Sequence, residues 1–529
     1  MDKNINPDLT ELKFKTIIDY LYVSKQSHRD KTAFIAQDKP VSYSEFASHV
    51  EDCAKALHEA GIQAGFTVAL MLPNVLEFCI LYFALLRQGV RIIPINIMLN
   101  SQELHHILED SQAETIIAWD KFTDNVNAAT EELPASRLKF FVKDSSQQGM
   151  IRFDKMQSAS LDHTLPESGH LQKNDDALIF YTAGTSEAPK GAILTHESLS
   201  CTMAGIWETL LLADADIILA VLPLFHPFGQ MATMNAPIAA GSTIVLLSKL
   251  DIDDILTAIE KYKVTCFIAV PLVFDGIARR LPSEEKLKSI RLCIAGGAPL
   301  KEETYDIFQS KYNQTILEGY GITECSPLVS CSRIYRQRRR GSVGLPLPDI
   351  ETVIFNGNNM PVSPGEIGEI GIRSKSLMRG YLNEPQSRQD SLRDGWFFTS
   401  DMGMMDSDGY LYLIDRKSDM ILKDGFSISP LEIEKALNAH QKVQLAAAIG
   451  LSNKVHGEII RAFVVPKVGE TLNAQELSKY CQKHLPKFKC PDEIDIVEDL
   501  PRTATGKVLK RELRRKIIES QESSNEKIN

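Results

Sequence analysis

Three hydroxyls and one ammonium crowd a short stretch of this 529-residue sequence. Residues 181–191 read Tyr-Thr-Ala-Gly-Thr-Ser-Glu-Ala-Pro-Lys-Gly, with hydroxyls at Thr182, Thr185 and Ser186, a charge at Lys190 and an unhindered backbone at Gly184. Small residues let backbone N–H groups approach a polyphosphate, while hydroxyls and a fixed cation donate to its oxygens. The GxxxxGK[ST] spacing of a Walker loop is absent. Taken alone, the stretch reads equally well as an ordinary turn between two strands with polar surface residues.

Four further segments change that balance. Residues 318–324 read Glu-Gly-Tyr-Gly-Ile-Thr-Glu, and 395–401 read Gly-Trp-Phe-Phe-Thr-Ser-Asp. Residues 415–421 read Asp-Arg-Lys-Ser-Asp-Met-Ile, followed by Gly425 and by Pro-Leu-Glu-Ile-Glu at 430–434. Residues 501–507 read Pro-Arg-Thr-Ala-Thr-Gly-Lys. In this order the five segments resemble the signatures of the adenylate-forming superfamily: acyl-CoA synthetases, firefly luciferases and the adenylation domains of peptide synthetases. The resemblance runs from about residue 30 to 515.

It implies that a carboxylic acid is joined to the α-phosphate of ATP with loss of pyrophosphate, and that the acyl group then passes to a thiol. Charge must be neutralised at the carboxylate and at the phosphates, so the site needs a divalent cation and fixed donors. By resemblance, Thr182, Gly184, Thr185, Ser186 and Lys190 cradle the phosphates, Thr323 touches them and Glu324 holds Mg²⁺. Gly297, Ala298 and Pro299 on one side, and Glu318, Gly319 and Tyr320 on the other, flank adenine. Asp401 takes both ribose hydroxyls, and Arg416 adds a contact to ribose or phosphate. Lys507 reaches between carboxylate and α-phosphate and is the expected catalytic residue of the first step. In isolation each of these reads as a turn, cap or core residue.

The same resemblance divides the chain into an N-terminal domain, 1–416, and a mobile C-terminal domain, 417–529. The second domain turns about a hinge at Ser418, where relatives usually carry Asp or Lys. Gly425 then lines the tunnel for coenzyme A. Residues 222–229, Leu-Pro-Leu-Phe-His-Pro-Phe-Gly, resemble the acyl pocket of acyl-CoA synthetases, with His226 as a gating aromatic and Phe228 beside it. No Asp stands there to bind an α-ammonium. Gly321 replaces the bulky Trp of acetyl-specific relatives, which implies a deeper pocket for a medium-to-long fatty acid or an aryl acid. The 415–434 stretch is most similar to bacterial long-chain fatty acyl-CoA ligases. Coenzyme A is the expected acceptor. An acyl carrier protein is the alternative, although 341–416 lacks the insertion of stand-alone acyl-AMP ligases. Ala183, Glu187 and Ser418 depart from the family pattern and keep open a degenerate nucleotide-binding relative with weak or no activity.

Such residues must be held by a layered frame. Apolar strands at 67–72, 92–95 and 115–118 alternate with helical spacing at 44–60, 75–88 and 102–111. Strands at 217–222, 243–247, 266–270 and 290–295 follow, with a helix at 254–261 and another starting near Lys301. This βαβ rhythm predicts α/β layers of largely parallel sheet. After about residue 340, Gly, Pro and Asn break the pattern into an antiparallel β module. From Ser418 a small α+β unit is expected, with helices at 430–439 and 474–484 and strands at 445–449 and 460–465.

Length alone implies at least two domains. A net charge of −11 argues against nucleic acid as a partner. Arg336, Arg338, Arg339 and Arg340 read as a solvated loop rather than a phosphate-binding patch, and the basic run 507–516 as a helix serving solubility or phosphate steering. Nine dispersed cysteines without metal-ligand spacing read as reduced thiols of a cytoplasmic protein. No segment reads as a signal peptide or membrane span. Peripheral membrane contact, and a monomer as against a homodimer, stay open.

Overall fold

The computed structural model describes residues 16–133, 138–142, 171–182, 189–384, 391–453, 455–503 and 506–517. The chain forms two compact units: 1–352 with 372–397, and 353–371 with 398–529. The division differs from a cut after Arg416 in that the β-strands at 398–416 belong to the second unit.

The first unit is built on two sheets. In the nine-stranded one, Ile316–Gly321, Leu292–Gly296, Cys266–Ala269, Ile217–Ala220, Thr243–Leu246 and Thr32–Ala36 run parallel in that order. Leu328–Cys331 and Leu345–Pro346 extend it antiparallel at one edge, and Lys39–Ser42 at the other. In the seven-stranded sheet the order is Gly380–Tyr381, Lys190–Thr195, Asp176–Thr182, Arg91–Pro94, Thr67–Met71, Thr115–Trp119 and Leu138–Val142. Its last five strands are parallel, and its first three alternate in direction. The predicted α/β layering holds. Thr67–Met71 is buried along its whole length, as a strand covered on both faces must be.

Local chemistry sets the helices. Ser42 and Glu45 close a reciprocal capping box at the start of Tyr43–Glu59, and Asn100 with Glu103 does so for Ser101–Ser111. Leu76–Arg87, apolar nearly all round, is buried from Phe78 to its end.

In the second unit, Trp396–Met405 pairs antiparallel with Leu411–Arg416. A separate sheet pairs Val443–Asn453 with Gly457–Pro466 along nearly their full length. Helices Pro430–Asn438 and Ala474–His484 accompany it, and Ile421, Ile428, Ile433, Leu437 and Leu477 close its core. The strands expected at 445–449 and 460–465 are thus parts of a longer hairpin.

Two basic segments differ from expectation. The Arg338 side chain is 5% exposed, ion-paired to Glu318 at 2.6 Å and stacked over Tyr305 at 3.7 Å, so that arginine is not solvated. Within 507–516, Lys510 is enclosed between Glu434 (3.0 Å) and Asp415 (3.7 Å), and Arg514 pairs with Asp419. These cations hold the fold. Burial lowers the Lys510 pKa, but the two carboxylates outweigh it and leave the ammonium held above its ordinary value.

Candidate active site

The site residues of the first unit sit at the carboxyl ends of parallel strands, where open α/β sheets place ligands. Asp176–Thr182 turns back into Lys190–Thr195 as an antiparallel pair, with Thr182 opposite Lys190. The candidate cradle is therefore the connection between two paired strands. Ala183, Gly184, Thr185, Ser186 and Glu187 lie outside the described residues.

Both flanks of that turn are anchored. Tyr181 donates its hydroxyl to Asp110 at 2.6 Å, and Asn383 Nδ2 donates to the Asp110 carbonyl at 2.8 Å. Strand Gly380–Tyr381 pairs onto Lys190–Thr195, and Leu382 N–H donates to the Gly191 carbonyl at 2.7 Å. Lys190 is ion-paired with Glu384 and lies 5.7 Å from the Tyr381 ring centre. Sequence reasoning missed Asp110, Tyr381, Asn383 and Glu384.

Thr323 and Glu324 follow Ile316–Gly321 in a single 3₁₀ turn. Tyr381 donates its hydroxyl to Glu324 Oε1 at 2.8 Å, fixing one oxygen of that carboxylate. Among the described residues no cluster of three or more His, Cys, Asp or Glu forms a metal cage. One oriented carboxylate suits Mg²⁺, which keeps waters and takes its other ligands from phosphates.

The two segments expected to flank adenine lie at the ends of neighbouring strands. Gly296 and Gly319 are partners on adjacent parallel strands. Gly297 turns the chain at a φ of +86° and, with Pro299, is exposed. Tyr320, however, is 7% exposed, so protein covers most of its ring here. Glu318 is turned onto Arg338 and the Leu300 amide rather than outward. Burial raises its carboxyl pKa, with Arg338 opposing.

At the expected acyl lip, Asn74 fixes the approach, accepting from Leu224 N–H at 2.8 Å and donating to the Leu222 carbonyl at 2.8 Å. His226 Nδ1 accepts from Phe228 N–H at 3.2 Å, which leaves the imidazole proton on Nε2. Desolvation lowers the His226 pKa to about 4, although the residue keeps some accessible surface. It is neutral at physiological pH, in keeping with a gate rather than an acid. The Phe228 ring packs where a Gly296 Cβ would lie. Gly321 has a cause independent of pocket depth: a Cβ there would sit 2.1 Å from the Pro327 carbonyl oxygen.

The second unit brings Asp401, Arg416 and Lys507 together. Asp401 and Arg416 are opposite partners across two antiparallel strands, with Arg416 Nε 2.6 Å from Asp401 Oδ1. Ser400, at a φ of +61°, and a register shift after Met402 present the buried Asp401 at an irregular point of its strand. Lys507 lies in a tight hairpin, where Thr503 N–H donates to its carbonyl at 2.8 Å and its own N–H donates to Thr503 Oγ1 at 3.1 Å. By area Lys507 is exposed, yet protein atoms crowd its ammonium in a recess. That desolvation, then the Arg416 charge, lower its pKa from 10.5, while Asp401 and Asp419 oppose them. Ser418 is exposed in the turn where Asp419 and Met420 N–H both donate to the Arg416 carbonyl. Gly425 follows Asp424 in a two-residue hairpin turn with φ values of +51° and +79°, which by itself calls for glycine.

Known proteins resemble this chain over nearly its whole length. A sequence profile of AMP-binding enzymes matches residues 22–382, and one of the AMP-binding enzyme C-terminal domain matches 432–507. The chain is 32% identical over 537 residues to a long-chain-fatty-acid–CoA ligase of Bacillus subtilis, covering 96% of this chain and 95% of the relative. Among solved structures, ATP-bound MatB from Rhodopseudomonas palustris superposes with a TM-score of 0.87 at 27% identity, over 95% of this chain and 98% of that one. The o-succinylbenzoate CoA synthetase of Bacillus subtilis, bound to its acyl-adenylate, gives 0.83 at 27%, over 94% and 97%.

Proposed function

We propose, from the premise that this chain belongs to the AMP-binding enzymes and is an AMP-forming acid–CoA ligase, that its acid is a medium-to-long-chain fatty acid. The observation that carries this reading is the lip at 222–229. It has no charged side chain, His226 is neutral within it, and Phe228 packs beside it. Such a wall suits an alkyl chain and offers no charge to pair with an ammonium or a second carboxylate.

In the first half-reaction the carboxylate oxygen attacks the α-phosphorus of ATP, an acyl–O–P bond forms and pyrophosphate leaves. Glu324 would hold Mg²⁺, which supplies charge neutralisation at the phosphates. Lys190 donates to the phosphate chain, exchanging Glu384 for phosphate oxygens. Asp401 accepts from the ribose hydroxyls, with Arg416 beside it. Lys507 shares its protons between carboxylate and α-phosphate oxygens, where charge concentrates in the transition state. In the second half-reaction the thiol sulfur of coenzyme A attacks the acyl carbon and AMP leaves. That step requires Lys507 to withdraw, and we assign the movement to residues 417–529 turning about Ser418, with Gly425 then at the pantetheine arm. Nine cysteines, none in a disulfide, favour the cytoplasm. No described helix is long and apolar enough to cross a membrane.

Pyrophosphate release with octanoate, palmitate, benzoate and o-succinylbenzoate, with and without coenzyme A, tests the proposal. Highest kcat/KM with the alkyl acids is expected. Preference for an aryl acid would refute the substrate class. Release without thioester, rescued by an acyl carrier protein, would transfer the acceptor to that protein. No release with any acid would point to a degenerate relative.

A further inference from the structure

The arginine-rich segment after the Glu324 turn has no part in the chemistry above, yet it walls a cavity of about 460 Å³. The cavity lies at the first residues of Leu292–Gly296 and Ile316–Gly321, the ends opposite those that lead to Gly297 and Glu324. Arg291, Tyr305, Asn313, Arg336, Gln337 and Arg338 line it, and no carboxylate does. Its volume is that of a small-molecule site.

The three guanidiniums differ. Arg291 is committed to Asp216, with Nε 2.7 Å from the carboxylate. Arg338 is buried against Tyr305 and paired with Glu318, but its buried Nε–H has no acceptor. Arg336 is exposed and has no carboxylate partner among the described residues. Asp216 neutralises Arg291, and Glu318 with Glu302 neutralises Arg338, so selection of an anion falls to the exposed Arg336. A free phosphate would fill little of the volume. Asn313 and Gln337 add amides that match the edge of a heteroaromatic base.

We propose that this cavity binds a nucleoside phosphate monoester, its phosphate at Arg336 and its base against the amides. Arg338 also joins the cavity to the activation face. The same guanidinium neutralises Glu318, which directly precedes Gly319 and Tyr320, so a phosphate that draws Arg338 leaves Glu318 buried with less counter-charge. The cavity can therefore report the level of a phosphorylated nucleoside to the site that uses ATP.

Isothermal titration of the full chain with 5′-AMP, 3′-AMP and inorganic phosphate, on wild type and Arg336→Glu, provides the test. One binding class is expected to weaken by on the order of tenfold or more in Arg336→Glu, as when a charge-assisted contact is lost. A second class, seen with 5′-AMP, is expected to keep its affinity. Preference of the sensitive class for 3′-AMP assigns it to 3′-phosphates of the coenzyme A type; preference for 5′-AMP assigns it to the nucleotide product. Either supports the site. Titrations unchanged by Arg336→Glu, or inorganic phosphate binding as tightly as the nucleotides, overturn it. Because Arg336 is exposed, an unchanged melting temperature separates lost binding from lost fold. The outcome is independent of pyrophosphate release, so the two proposals fail separately.

Discussion

Lys190 and Glu384 form an ion pair beside the candidate phosphate-binding segment, so a carboxylate occupies the ammonium that phosphates are expected to claim. If Lys190 serves ATP as proposed, the nucleotide displaces Glu384 and the pair competes with binding. Glu384→Gln is expected to lower KM for ATP about fivefold with little change in kcat, since a half-exposed pair contributes up to about 1 kcal/mol. A raised KM would mean that Glu384 orients Lys190 instead.

Lys507 carries a depressed pKa, and the sign of its pH effect follows. Only the ammonium can share protons with the reacting oxygens, so adenylation fails as pH rises through the folded-state pKa, which lies below 10.5. Desolvation and the Arg416 charge make that loss come early. In stability terms the folded state resists protonating this group, so its contribution improves as pH rises through the depressed pKa. Pyrophosphate release should show an alkaline limb that Lys507→Arg removes or moves upward, because a guanidinium stays charged. Lys507→Ala should abolish adenylation but largely spare thioester formation from supplied acyl-adenylate. Equal loss of both steps would contradict the rotation of 417–529.

Acid should destabilise the first unit through His196. Its Nδ1 accepts from Ile17 N–H at 3.3 Å, it is 1% exposed, and desolvation lowers its pKa to about 4. The folded state excludes a proton that the unfolded chain takes up near pH 6.5. Stability is therefore complete above pH 6.5 and falls as pH drops towards 4, by up to about 3 kcal/mol. Urea midpoints at pH 7 and pH 5 should differ less for His196→Asn, which keeps an acceptor but does not titrate in this range. An equal drop in both proteins would remove His196 as the cause.

Much of this was legible from sequence because it lies in local pattern. Continuous apolar runs gave the parallel strands, and the Ser42–Glu45 and Asn100–Glu103 pairs mark helix starts within a residue of expectation. The Asp401, Arg416 and Lys507 positions were legible only by resemblance to a family. The partners of Lys190 and Glu324 were not legible, because Glu384 and Tyr381 reach them from 194 and 57 residues away. The buried roles of Arg338 and Lys510 were hidden for the same reason: a basic run looks solvated until carboxylates distant in sequence close on it.

Gly321 shows where a motif residue has two candidate causes. The deeper-pocket reading predicts that a larger residue shortens the preferred acyl chain and leaves the fold intact. The backbone predicts otherwise, since a Cβ would lie 2.1 Å from the Pro327 carbonyl oxygen and 3.1 Å from Leu328 Cα. Neither neighbour is a flexible side-chain end, so the strand pair Ile316–Gly321 and Leu328–Cys331 must part locally. Gly321→Ala is expected to cost about 1–3 kcal/mol, the range for overpacking against fixed structure. Thermal unfolding should report that loss, with the ratio of octanoate to palmitate kcat/KM unchanged. Gly425→Ala is the control: its Cβ meets nothing within 4 Å, and its φ of +79° alone imposes a cost of about 1 kcal/mol. If Gly321→Ala instead melts like wild type and moves the preference towards octanoate, the backbone yields there and pocket depth is what the glycine provides.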